Sequence, residues 1–230
     1  MEREAQFDVL LDLLRKFDRE GILRNMMLIG SWCLFFYRSA LWENSNLPVI
    51  RTLDADFLIP NPSSLKRDVD VSAILKEMGF VPTFYRSSDW IVYDHPELRV
   101  EFLIPELGKG HDKAQEIKKL HVKAQRLRYL NLLAEHPRSV SYGGLSLCVP
   151  EPAAFALHKL IVSSRRTNEL KRGKDLDSAI ALLDYILLHP KERGKMGTIV
   201  KGLPKRWLKT INDLAGEHYP RLAEVLKDFQ

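Results

Sequence analysis

Cysteine is scarce, with Cys33 and Cys148 the only two among 230 residues. They share no metal-ligand spacing and build no disulfide framework, which fits a reducing compartment better than a secreted scaffold. Long hydrophobic runs are missing too, and none approaches the roughly 20 residues a membrane-spanning helix needs. The opening, MEREAQFDVLLDLLRKF, is charged and amphipathic and lacks the apolar core of a secretory leader. Glycine and proline, 12 of each, are too few for a collagen-like or low-complexity chain, and no segment repeats at solenoid spacing. His111, His121, His136 and His158 are scattered without metal spacing. Ser163 and Ser164 lack a Gly-x-Ser-x-Gly frame, so nothing supports a serine hydrolase. These absences predict a cytoplasmic protein that neither crosses nor binds a membrane, and they leave its oligomeric state open.

What is present is ordinary for a globular protein: 45% hydrophobic and 28% charged residues, enough chain for one domain or two small ones. The formal charge of +5 is a mild basic excess, compatible with a polyanionic partner. Two basic stretches, KGHDKAQEIKKLHVKAQRLR and KERGKMGTIVKGLPKRWLK, hold no aromatic ladder of the RNA-recognition kind. They read as solvated helix faces, with phosphate tracking beside Trp207 the alternative for the second.

Periodicity divides the chain. Phe7, Leu10, Leu11, Leu14 and Phe17 share a helical stripe that Gly21 can stop. NMMLIG reads as a buried strand, Ser31 as the N-cap of an apolar helix, and TLDADFLI as a second strand closed by Pro60. Residues 70–79 read as a helix. FVPTFY, DWIVYD and LRVEFLIP follow as strands about ten residues apart, suited to antiparallel pairing. A partly helical stretch over 117–137 and a hairpin at Gly143-Gly144 come next. From Pro152 the pattern is helical: PAAFALHKLIVSSRR, a helix opened by Lys174, and two weaker amphipathic segments. The expected fold is α+β, a mixed and largely antiparallel sheet with flanking helices, followed by a helical C-terminal region.

The chemistry concentrates in RTLDADFLIP. Residues two apart on a strand face the same way, so Asp54 and Asp56 project together while Leu53, Ala55 and Phe57 face the other side. Like charges this close repel unless a cation lies between them, and oxygen-only ligands favour Mg²⁺ or Mn²⁺. On its own the pair is equally compatible with a solvent-facing or salt-bridged strand. LRVEFLIP repeats the pattern, with Glu101 standing before Phe-Leu-Ile-Pro much as Asp56 does before Phe-Leu-Ile-Pro. If the two strands are neighbours, three carboxylates converge, as a two-metal phosphoryl-transfer site requires. In IGSW, Gly30 permits a close backbone approach and Ser31 adds a hydroxyl, which suits a phosphate as well as a simple helix cap. Arg51 can hold phosphate or pair with an acid. Arg165 and Arg166 can reach phosphate or end a solvated helix. His158 reads as a packed or capped histidine.

Together, the hydrophobic-Gly-Ser motif, the Asp-x-Asp and the later acid resemble the nucleotidyltransferase superfamily with the DNA polymerase β fold. VPEPAAFALHKLIVSSRR and KRGKDLDSAIALL are similar to the helical region of its prokaryotic stand-alone members. The likeness spans roughly residues 22–185. It departs in a longer interval from Ser31 to Asp54, which implies a longer helix or an added loop at 42–50. It departs again in a Glu where Asp is commoner. The resemblance implies a core at 1–108, a connecting segment with a helix and small hairpin at 109–150, and a helical domain at 151–230. It also implies Asp54, Asp56 and Glu101 as catalytic metal ligands, and Gly30, Ser31, Lys159, Lys174 and Asp175 at the nucleotide, with the helical half closing the cleft. The activity implied is Mg²⁺-dependent transfer of a nucleoside monophosphate from an NTP such as ATP to RNA, a protein or a small molecule, releasing pyrophosphate. Two alternatives are a nucleotide- or RNA-binding module that has lost turnover and an enzyme that adenylylates a partner protein.

Overall fold

The computed structural model describes residues 2–42, 45, 47, 52–85, 89–106, 108 and 114–229. Its contacts divide the chain into two units, one running to Pro150 and a helical one from Glu151.

In the first unit, helix α1 (Glu2–Arg19) buries Leu10, Leu13, Leu14 and Phe17. Strand β1 (Met27–Ile29) leads to α2 (Trp32–Phe36), whose helical path continues through one π-turn to Leu41. Then come β2 (Asp54–Leu58), α3 (Val71–Glu77), β3 (Val81–Tyr85), β4 (Trp90–Asp94) and β5 (Arg99–Pro105). The sheet runs β1-β2-β5-β4-β3, and β5 also pairs, through its far end, with β7 (Val122–Leu127), which carries β6 (Gln115–Ile117). Among the described strands, β2–β5 and β5–β7 pair in parallel and the others antiparallel, so the sheet is mixed and largely antiparallel, as expected.

One sheet face makes the core. Ala55, Phe57, Tyr93, Val100 and Phe102 are all but inaccessible. Phe17 of α1 meets Phe57 edge-on at 5.4 Å, and Phe102 lies between Phe57 and Tyr93 at 6.0 and 6.1 Å. Such aromatic geometry adds to the area these rings bury. Strict alternation then forces the intervening residues, Asp54, Asp56, Arg99 and Glu101, onto the opposite face.

Residues 122–127 form a strand where a partly helical stretch was expected. Val122 and Ala124 are buried and alternate with Lys123 and Gln125. The long basic side chains hid that period of two, because they keep their charged ends in water whatever the backbone does. A short helix α4 (Leu130–Ala134) and the hairpin β8 (Pro137–Tyr142) and β9 (Leu145–Pro150) complete the unit. The hairpin turns at Gly143-Gly144, both with positive φ, the turn that matches strand twist.

The second unit is α5 (Pro152–Ser163), α6 (Glu169–Leu188), α7 (Pro190–Gly202), α8 (Lys205–His218) and α9 (Pro220–Lys227). Three helices, not two, follow α6, each with a proline at or next to its first residue, where the missing N–H costs nothing. Helix α6 also starts earlier than expected. Asn168 caps it through the Lys171 N–H, so Lys174 stands in the second turn and does not open the helix. No helix among the described residues is long and apolar enough to cross a membrane.

Candidate functional site

The parallel register of β2 and β5 sets Asp56 beside Glu101 and Asp54 beside Arg99. Paired residues share a face, so these four side chains form two charged rows on the side away from the core. Asp54 is exposed, and Asp56, Glu101 and Arg99 are half-buried. The rows are fixed from the opposite face: slipping β2 by one residue would bury its aspartates and expose Phe57.

Gly30 belongs to the same place. Ile29 pairs with Asp56 across β1 and β2, so Gly30 emerges at the acid row. Its φ is +75°, and a Cβ there would collide with Oδ2 of Asp56. Glycine is required twice over, for the backbone angle and for the carboxylate's approach. Ser31 follows, and its hydroxyl makes no capping hydrogen bond to α2.

Arg99 was not anticipated. Its Nε donates to Asp94 Oδ1 at 2.7 Å, and Thr83 Oγ1 donates to the other Asp94 oxygen at 2.7 Å. The Asp94 hydrogen bond, with a further pull from the charges of Asp94 and Asp54, holds the Arg99 guanidinium above its ordinary pKa against the opposing effect of burial. Burial pushes Asp94 up, but Thr83 and Arg99 outweigh it and bring the carboxyl below its ordinary range. A signal was there to find. Aligning LRVEFLIP with TLDADFLIP matches Glu101 to Asp56 and therefore Arg99 to Asp54.

The donor set is oxygen only and suits a hard divalent cation such as Mg²⁺ or Mn²⁺. Adjacent placement of Asp56 and Glu101 fits it as well. Among the described residues, no group of three or more His, Cys, Asp or Glu side chains is gathered at ligand spacing.

In the helical unit, Asp175 is buried and takes Lys159 Nζ at 2.6 Å on one oxygen and Arg166 Nε at 2.9 Å on the other. Burial pushes its carboxyl up, but the two cations prevail and hold it below its ordinary range. Lys159 is largely covered: only 14% of its side chain is accessible and its ammonium lies 5.4 Å from the Phe155 ring centre. Lys174 is exposed. His158, beside them, is half-buried, but both its ring nitrogens are shut away from water with neither hydrogen-bonded among the described residues, and their burial pulls its pKa down to about 3. Arg51, His111 and most of the expected added loop at 42–50 lie outside the described residues.

A solved structure, that of an antigenic nucleotidyltransferase-like protein from Paracoccidioides brasiliensis, superposes with a TM-score of 0.53 at 16% identity. The match covers 98% of this chain and 93% of that one, a likeness of fold. No curated protein matches. A family model described as nucleotidyltransferase matches residues 9–193, an interval that holds the glycine-serine turn, the acid rows and the first two helices of the second unit. The chain belongs to the nucleotidyltransferase family.

Proposed function

We propose that this protein transfers a nucleoside monophosphate from an NTP to an acceptor hydroxyl with Mg²⁺ or Mn²⁺, at the face carrying Asp54, Asp56 and Glu101. The observation that carries the reading is the meeting of Gly30 with Asp56 beside Glu101, which joins the Gly-Ser turn and the acids into one place.

Asp54 and Asp56 would hold the cation, with Glu101 completing the set. When bound, Mg²⁺ neutralises triphosphate charge and makes the acceptor hydroxyl more acidic. The Ser31 hydroxyl and the backbone N–H groups of the Gly30–Ser31 turn would donate to triphosphate oxygens. A Glu101 carboxylate oxygen would accept the hydroxyl proton as the acceptor oxygen bonds to the α-phosphorus. The bond from that phosphorus to the bridging oxygen breaks, and pyrophosphate leaves. Lys159 and Asp175 are engaged with each other, so we assign them to holding the helical unit together. Lys174 alone of the three stays a candidate nucleotide contact.

The test is incubation with each α-labelled NTP, Mg²⁺ and a cell lysate, beside the Asp56→Asn variant. Wild type should label a macromolecule and release pyrophosphate. The variant should melt within a few degrees of wild type and transfer at least about a hundredfold less, the scale of losing a group that stabilises the transition state. Nuclease and protease digestion of the labelled product identifies an RNA or a protein acceptor. Binding of NTP without transfer from any of the four would instead make this a binding module.

A further inference from the structure

Strands β3 and β4 carry aromatic rings that the core does not use. Tyr85 and Trp90 are directly opposed in the ladder, with ring centres 5.2 Å apart and planes 31° from parallel. Alternation puts both on the face of the acids. Trp90 lies two residues from Val92, which pairs with Glu101, so Trp90 is a diagonal neighbour of Glu101 at about 7–8 Å. Tyr85 is 40% exposed, whereas Phe57, Phe102 and Tyr93 on the other face are buried. Trp90 is half-buried, with its indole N–H turned away from water. Arg99 shares this face, held by Asp94. A partly open pair of flat rings and an anchored cation thus share the face of the acid row.

We infer that Tyr85 and Trp90 form a stacking platform for a nucleobase. The inference rests on the proposed transfer reaction, since it is the nearby acids that make a nucleotide the expected visitor. An aromatic surface accepts any base through its π-face. The base can belong to the NTP or to the terminal nucleotide of an RNA acceptor.

The test titrates Mg²⁺-ATP, Mg²⁺-tripolyphosphate and a short single-stranded oligoadenylate RNA against wild type, Tyr85→Ala, Tyr85→Phe and Trp90→Phe. Tyr85→Ala, at an exposed position, should keep its melting temperature and weaken ATP or the RNA about 5- to 150-fold, the range for one lost base stack. Tyr85→Phe should bind as wild type. Trp90→Phe keeps a smaller ring at the platform, so it should lose less than Tyr85→Ala. Tripolyphosphate, which has no base, should bind all four proteins alike. A loss confined to ATP assigns the platform to the NTP, and a loss confined to the RNA assigns it to the acceptor. Unchanged binding of both, or an equal loss for tripolyphosphate, overturns it. Transfer that persists in Asp56→Asn would sink the catalytic reading separately, leaving these affinities to be judged alone.

Discussion

Asp175 in the helical unit and the acid rows of the sheet unit handle negative charge in opposite ways. Asp175 is withdrawn from water, and each of its oxygens faces a cation from its own unit. Asp54, Asp56 and Glu101 share a partly open sheet face with Arg99, Asp56 beside Glu101 and Asp54 beside Arg99. The first arrangement is what a buried carboxylate needs for the fold to tolerate it. The second leaves its carboxylates partly open to solvent, which suits a cation brought from outside. Burial between two cations marks a structural acid; a row of carboxylates on a partly open sheet face is what the proposed metal site would use.

The sharpest way to break this contrast is Asp175→Ala. It strands Lys159 at 14% side-chain exposure, so denaturant titration should find a loss of about 3–5 kcal/mol. A loss below about 1 kcal/mol would mean that Asp175 is not structural.

Acid is the next lever. Burial holds the folded-state pKa of His158 at about 3, against an ordinary value of 6.5. Between those limits the unfolded chain binds the extra proton, so stability falls as pH drops, by about 1.4 kcal/mol per pH unit. From pH 7 to pH 4.5 this group alone should remove about 2–3 kcal/mol, and none above pH 7. His158→Leu should flatten that slope in paired melts, and an unaltered slope would assign it to another group. Asp175, held low, adds its own loss only at still lower pH, as pH falls through its folded-state pKa.

The smallest effect on stability tests the sheet side. Gly30→Ala forces alanine to φ +75°, at about 1–2 kcal/mol, and pushes the Asp56 carboxylate aside. Gly144→Ala forces φ +79° with nothing within 4 Å of the new methyl. The two variants should lose similar melting temperature, but only Gly30→Ala should lose nucleotide transfer. Equal activity in both would mean that the closeness of Gly30 to Asp56 has no function.

How far the sequence could be read depended on range. Elements with a clean local period were legible: the α1 stripe, the aromatic alternation of β2 and β5, the Gly-Gly hairpin. So was the common face of Asp54, Asp56 and Glu101, because the near-repeat of TLDADFLIP and LRVEFLIP carries strand and face at once. Residues 122–127 were not, since lysine and arginine stems blur alternation. The start of α6 was missed because its first turn, Glu-Leu-Lys-Arg before Gly173, has no apolar period behind the Asn168 cap.

By itself, then, the sequence determined which residues share a face, since alternation along a strand is a property of the backbone. It could not determine which strand lies beside which, or how deep a charged side chain sits. The parallel pairing of β2 with β5, which puts Arg99 beside Asp54, joins segments some 45 residues apart. The burial of Lys159 against Asp175 is likewise a product of two helices packing together. Pairings at that distance are decided by the burial of the whole core, which no local pattern reports.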